Sequence, residues 1–192
     1  LRDSIEMQGI NTFLFCGEVL PHSTAKNLRT SFPKSRVLNT YGPTEATVAT
    51  TLVEIDDAIL ARFDPLPVGV SKPESALLIE EGEIVIVGPN VSMGYVGNAE
   101  LNAAKFVVRN GQRAFKTGDT GYLQNDMLFF NGRNDDLVKL HGYRIELNEI
   151  TAALNKLPYV AHGATIALKR DGLVKKIVSL VQLLENHQAT VD

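Results

Sequence analysis

Residues 39–49 read NTYGPTEATVA, a tyrosine, a Gly-Pro pair, three threonines and a single glutamate before the chain turns apolar. Gly42 and Pro43 predict a tight turn, whose backbone N–H groups can face an anion. Thr44 adds a hydroxyl donor. Glu45 adds a hard oxygen ligand of the kind Mg²⁺ accepts beside phosphates. Tyr41 offers a ring face on which a base could stack. By itself a Tyr-Gly-Pro stretch is more often only a turn, so the rest of the chain must decide.

Outward from this stretch, RVLN before it and TVATTLVEI after it are rich in β-formers and predict strands on either side of the turn. Upstream, TFLFC (12–16) predicts another strand, and EVLPHSTAKNLRTSF carries Leu20, Ala25 and Leu28 at helical intervals, with Pro21 in the first turn. Strand, helix and strand in that order indicate an α/β layer, partial and reaching about residue 60. From there to residue 134, ALLIE, GEIVIVG, RAFKTGD and MLFFNG are short β-forming runs between Gly, Pro and Asn, as in a small antiparallel barrel or sandwich. NAELNAAKF interrupts them as a helical turn. Beyond GRNDD, Leu147, Ile150, Leu154 and Leu157 make one apolar helix face that Pro158 closes, and VAHGATIAL predicts a strand. LVKKIVSLVQLLE fits helix or strand by period, and its Val and Ile content favours strand. The expected architecture is α/β and α+β: residues 1–134 with a β-rich part over 61–134, then a small α+β unit over 135–192.

Composition excludes several classes of function. The 192 residues are 44% hydrophobic, enough for a substantial core, and the net charge of −3 from 19 Lys+Arg and 22 Asp+Glu leaves no basic excess to attract nucleic acid or an anionic membrane. One cysteine, Cys16, allows no internal disulfide and no Cys-rich metal site, which fits a reducing, cytoplasmic setting. No apolar run is long enough for a membrane-spanning helix, and LRDSIEMQGI lacks the features of a signal peptide. The absence of an initiator Met gives the expectation that the chain is cut from something longer. His22, His141, His162 and His187 have no second ligand at a metal-binding spacing and are read as packing or surface residues.

Two further segments carry polar chemistry. KTGDTGYL (116–123) sets Asp119 between glycines with no apolar neighbour, which predicts either a solvated turn or an acceptor for vicinal ribose hydroxyls. FFNGRNDDLVKLHGYRIELNEI (129–150) carries Arg133, a guanidinium fork for hydroxyl or phosphate oxygens, and then a charged junction that reads as linker or hinge.

NTYGPTEATVA, KTGDTGYL and GRNDDLVKLHGYRIELNEI, in this order and at these separations, resemble the central and C-terminal motifs of the adenylate-forming superfamily, which includes acyl-CoA synthetases and nonribosomal adenylation domains. FLFCGEVLP, PLPVGVSKP, NAELNAAKF and LHGYRIELNEI are most similar to its D-alanine-activating branch, and the likeness covers nearly the whole chain. The resemblance implies ATP, with Mg²⁺, and D-alanine as substrates. It implies as partner the phosphopantetheine arm of a D-alanyl carrier protein, in teichoic acid modification. It also implies a role for each motif residue. Asn39, Thr40, Tyr41, Gly42, Pro43 and Thr44 would form the nucleotide loop, in which Tyr41 stacks on adenine, Thr44 meets the α-phosphate and Glu45 holds Mg²⁺. Asp119 would take the ribose hydroxyls, and Arg133, led by Phe130, Asn131 and Gly132, would close on the same ribose. Thr44, Glu45 and Arg133 are the implied catalytic residues. Cys16 and Val48 would line the D-alanine pocket, Gly17 and Glu18 would lie beside adenine, and Asp135 would be the hinge about which the small unit swings between adenylation and thiol attack.

The family's phosphate loop and terminal lysine have no counterpart among these residues; Lys169, Lys175 and Lys176 lack the context of that lysine. The isolated piece is therefore expected to be inactive although its parent is an enzyme. Two alternatives stay open: a nonribosomal or acyl-CoA type adenylation enzyme acting on another acid, and a non-catalytic nucleotide-binding module.

Overall fold

A computed structural model describes residues 9–170 and 173–185. The chain divides into two compact units, Leu1–Asn134 and Asp135–Asp192.

In the first unit, β1 (Thr12–Phe15), β2 (Arg36–Asn39), β3 (Thr51–Glu54) and β4 (Val70–Ser71) form one sheet in that order. β1 and β2 are parallel, which requires a crossover, and α1 (His22–Ser31) supplies it. The helix turns Ala25 and Leu28 inward, onto a core with Leu20, Val37, Ile55 and Leu66. Pro21 is the residue before α1 rather than part of its first turn. The strand after the Tyr-Gly-Pro turn starts at Thr51, four residues later than TVATTLVEI suggests: Thr44–Ala46 is a short 3-10 turn, and Thr47 and Val48 take positive φ angles of 59° and 61°. β-Branched residues rarely adopt that region, so local β-propensity gives way here to the loop's own hydrogen bonds. A short helix that hydrophobic spacing does not reveal, α2 (Asp57–Arg62), begins where the Asp56 carboxylate accepts the Ile59 N–H at 2.8 Å.

The remaining strands of this unit make the antiparallel β-rich layer: β5 (Ala76–Glu80), β6 (Glu83–Val87), β7 (Phe106–Arg109), β8 (Gln112–Gln124) and β9 (Met127–Arg133). Their path is β5-β6-β8-β7, with β9 also on β8. β8 is long enough to serve both neighbours: Gln112–Phe115 pairs with β7, and Asp119–Gln124 pairs with β9. Alternation puts Ile84, Ile86 and Phe115 in one cluster with Tyr41, Ala46, Val91 and Leu128, while Val85, Val87 and Ala114 pack on the other face. The helical interruption is α3 (Ala99–Lys105), capped by Asn98, whose side-chain oxygen accepts the Leu101 N–H at 3.1 Å.

Among its described residues the second unit holds two antiparallel strand pairs and a helix. The boundary between the units falls within the charged junction, and from Leu137 the chain forms a hairpin, β10 (Leu137–Leu140) with β11 (Tyr143–Glu146). His141 and Gly142 both have positive φ, as a two-residue hairpin turn of this twist requires, and Leu137 and Val138 are buried. α4 (Leu147–Leu154) then packs on β12 (Val160–Arg170), which pairs along its length with β13 (Leu173–Leu183), the segment whose period fits helix or strand equally. Asp135 is the first residue of this unit, and its carboxylate accepts the Leu137 N–H at 3.3 Å.

Candidate nucleotide site

Loop 40–50 leaves the end of β2 and returns as β3. Its two ends are tied at one carbonyl, since the Thr50 and Thr51 N–H groups both donate to the Tyr41 oxygen, at 2.8 and 3.0 Å. Gly42 must be glycine for reasons of space: a Cβ there would lie 2.5 Å from the Val48 oxygen and 2.8 Å from the Thr50 nitrogen, both backbone atoms. The side chains of Asn39 and Thr40 are engaged with backbone carbonyls around the loop. The Asn39 amide donates to the Pro67 carbonyl at 2.9 Å and the Thr40 hydroxyl to the Phe15 carbonyl at 2.9 Å, and both residues are buried. Their side chains build the base of the loop.

At the loop's tip Thr44 is exposed. Glu45, next in the 3-10 turn, is only 7% exposed, and one carboxylate oxygen accepts the Tyr95 hydroxyl at 2.5 Å. The back of the turn is held by Asn90, whose amide donates to the Ala46 carbonyl at 3.0 Å and whose carbonyl accepts the Thr47 hydroxyl at 2.8 Å. The Ser92 N–H donates to the Glu45 carbonyl at 2.8 Å.

Tyr41 and Asp119 do not have the setting expected from their local sequence. Asp119 is not in an open turn. It lies inside β8, directly across from Arg133 of β9, and is 6% exposed. Its two oxygens have different partners: Oδ2 accepts the Tyr41 hydroxyl at 2.6 Å, and Oδ1 accepts the Arg133 guanidinium. The Arg133 fork also reaches the Thr117 carbonyl at 3.1 Å, and the Asp119 N–H donates to the Thr117 hydroxyl at 3.0 Å. A carboxylate this deep must be ion-paired and hydrogen-bonded, and the strand pairing supplies the cation. Tyr41 is 9% exposed, a wall of the β-layer core near Phe130. It is no open platform, and only a small part of the ring is accessible to a base. Burial, reinforced by the Asp119 charge and hydrogen bond, raises its pKa well above the ordinary tyrosine value, so it remains a donor.

Cys16 and Val48, 32 residues apart, are brought together at the open side of the loop. The thiol donates to the Val48 carbonyl at 3.7 Å, and the Val48 side chain is 55% exposed. Gly17, with φ +94°, and the exposed Glu18 follow Cys16. Phe130 is half-buried, Asn131 exposed, and Gly132 half-buried with φ +137°, so β9 delivers Arg133 to Asp119 through a bulged pairing. His187 lies outside the described residues.

These groups suit a nucleotide. Each oxygen of Asp119 has more than one acceptor direction, so ribose hydroxyls can be added to the pairs it already makes. Arg133 and Thr44 are donors for hydroxyl and phosphate oxygens. Among the described residues no three His, Cys, Asp or Glu side chains form a cage for a metal. A lone carboxylate such as Glu45 fits a cation that keeps most of its waters and takes other ligands from phosphates, as Mg²⁺ does. Tyr95 and Asn90 have no motif of their own in the sequence, and only the pairing of distant segments reveals them; Thr117 lies within KTGDTGYL but is assigned no role by it.

Residues 2–96 match the family model described as AMP-binding enzyme, and the chain belongs to that family. It is 47% identical over 186 residues, 91% of its own length and 37% of the relative's, to the D-alanine--D-alanyl carrier protein ligase of Bacillus cytotoxicus. It thus spans a little over a third of the length of the curated relatives it matches. In structure it resembles an NRPS protein with adenylation and PCP domains bound to a vinylsulfonamide inhibitor, at a TM-score of 0.82 and 29% identity over 94% of this chain and 34% of that one. It is also similar to the Vibrio cholerae adenylation domain AlmE in complex with glycyl-adenosine-5'-phosphate, at a TM-score of 0.79 and 26% identity over 89% of this chain and 35% of that one. No helix among the described residues is long and apolar enough to cross a membrane.

Proposed function

We propose that this chain is part of an ATP-dependent ligase that activates D-alanine as D-alanyl-adenylate and passes it to the phosphopantetheine thiol of a D-alanyl carrier protein, for teichoic acid modification in the cytoplasm. The observation that carries the proposal is the buried Asp119, held between the Tyr41 hydroxyl and Arg133 at one end of the β-rich sheet. Identity of 47% to a D-alanine--D-alanyl carrier protein ligase supports the choice of acid and partner.

In this reading Asp119 accepts the ribose hydroxyls, Arg133 donates to the same sugar, and Tyr41 borders the base. The exposed Thr44 hydroxyl donates to the α-phosphate as the D-alanine carboxylate attacks phosphorus and the bond to pyrophosphate breaks. Mg²⁺, when bound, neutralises charge on the phosphates, and Glu45 is the carboxylate available to hold it. Cys16 and Val48 bound the small pocket for the amino acid. In the second half-reaction the carrier thiol attacks the alanyl carbonyl and AMP leaves; Asp135, at the boundary of the two units, is the pivot for the change of face this needs.

ATP–pyrophosphate exchange by the complete protein, with D-alanine, L-alanine and glycine side by side, tests the proposal. Exchange is expected with D-alanine first. Exchange with a different acid alone would shift the assignment to another adenylation enzyme, and nucleotide binding without exchange would make the chain a binding module.

A further inference from the structure

We infer that Tyr95 is a positioning residue for Glu45: its hydroxyl fixes the rotation of the Glu45 carboxylate and so sets the affinity for a divalent cation–ATP complex. The inference rests on the proposed role of Glu45 as the cation's carboxylate.

Glu45 sits in a three-residue 3-10 turn, Thr44–Ala46, followed by two residues at positive φ. Such a turn has little regular structure to hold a side chain in one rotamer. The Tyr95 hydroxyl, 2.5 Å from Glu45 Oε1, supplies a charge-assisted bond across 50 residues of sequence. Tyr95 is itself clamped. Its N–H donates to the Asn102 side-chain oxygen at 2.7 Å, and its carbonyl accepts the Asn102 amide at 2.8 Å, so one α3 side chain closes on both backbone groups of Tyr95. The phenol ring lies edge-on to Phe106 with centroids 5.3 Å apart. Gly94 leaves room for this clamp, because a Cβ there would stand 2.8 Å from the Asn102 oxygen. The same stretch bonds the Glu45 backbone through Ser92 at 2.8 Å, so main chain and carboxylate of Glu45 are both held by residues 92–95. Two bonds to the backbone, a ring contact and an excluded Cβ for a single hydroxyl's direction is the construction expected of a group that orients a ligand.

Partners that orient metal ligands change metal affinity by about 10- to 100-fold when removed. The test compares the complete protein with its Tyr95→Phe, Asn102→Ala and Glu45→Gln variants by calorimetric titration of ATP, once with Mn²⁺ or Mg²⁺ and once in EDTA. Tyr95→Phe keeps the ring and is expected to weaken cation–ATP binding about 10- to 100-fold while binding in EDTA stays within about twofold. Asn102→Ala, which frees the backbone but leaves the hydroxyl, is expected to show a smaller loss of the same kind. Equal losses with and without cation would make Tyr95 merely structural and overturn the inference, as would an unchanged Tyr95→Phe beside a cation-specific loss in Glu45→Gln. No cation-specific loss in Glu45→Gln would overturn the role of Glu45 itself, and with it the inference.

Discussion

Tyr41→Phe removes one oxygen from the centre of the candidate site and leaves the ring in the core. The lost bond is 2.6 Å long, joins two residues that are 9% and 6% exposed, and has an ionised acceptor. Hydrogen bonds to charged groups contribute about 1.5–3 kcal/mol. Asp119 keeps Arg133, so the carboxylate is not stranded and the lower half of that range is expected, about 1.5–2 kcal/mol. In a unit of this size that lowers Tm by roughly 5–8 °C, read as the calorimetric transition of the unit ending at Asn134.

The same variant makes a pH prediction whose sign is fixed. Burial, then the Asp119 charge and hydrogen bond, raise the Tyr41 pKa above 10.0 in the folded protein. The unfolded tyrosine ionises near 10. Above that pH the unfolded chain loses its proton first, the folded state binds more protons, and stability falls as pH rises. Wild type should therefore exceed Tyr41→Phe by a constant margin below about pH 9, and the margin should shrink as pH climbs past about 10. Tyrosinate absorbance gives an independent reading: of the five tyrosines, the one lost in the variant should be absent from the transition near pH 10. A Tm change under about 1 °C, or loss of a normally titrating tyrosine in Tyr41→Phe, would refute the account of this cluster.

Asp119→Ala strands the Arg133 guanidinium and is expected to destabilise the first unit by about 3 kcal/mol. In the complete protein at a temperature where it stays folded, titration should show ATP binding lost far more than D-alanine binding, and equal loss would assign Asp119 to folding alone. Gly42→Ala forces backbone apart at Val48 and Thr50; displacement of the loop by about 1 Å should cost roughly 10²-fold in pyrophosphate exchange, and a rate within twofold of wild type would remove the loop from the site. Cys16→Leu overfills the space beside the Val48 carbonyl and should raise KM for D-alanine by roughly 5-fold or more without moving that for ATP. An unchanged KM would place the amino-acid pocket elsewhere.

Most elements are readable because their signal is local. The alternation in GEIVIVG, the three-four-three spacing from Leu147 to Leu157, and the Val and Ile content of LVKKIVSLVQLLE each occupy one short window; the strands β6 and β13 stand where those windows put them, and the helix α4 begins where expected but ends at Leu154, one turn short of Leu157. Two segments hide strands for the same reason. Gly-rich KTGDTGYL and the part of GRNDDLVKLHGYR beyond Asp135 look like turn and linker because Gly, Asp and Lys dominate their composition. Pairing overrides composition in both: β8 runs through Gly118 and Gly121, and a Cβ at Gly121 would stand 2.4 Å from the Phe129 carbonyl of β9, so the glycine is there for close strand approach. Leu137 and Val138, buried in β10, and Gly142 in the turn are the hairpin's local signs.

The site divides along the same line. Loop residues 41–45 adjoin in sequence, and their turn chemistry can be read directly. The state of Asp119 cannot, because two partners that set it come from elsewhere: the Tyr41 hydroxyl from 78 residues away and the Arg133 guanidinium from the next strand. In isolation an Asp between glycines is a solvated anion. Buried between a neutral donor and a cation, it is a fixed acceptor whose position depends on two sheets at once, since Tyr41 follows β2 of the first and Arg133 closes β9 of the second. Ribose hydroxyls added to this carboxylate would meet oxygens already oriented, with little reorganisation left to make on binding. That also explains why the acid can be so deep: the Arg133 cation keeps the carboxylate ionised where it is buried, and without a partner it would titrate instead of binding.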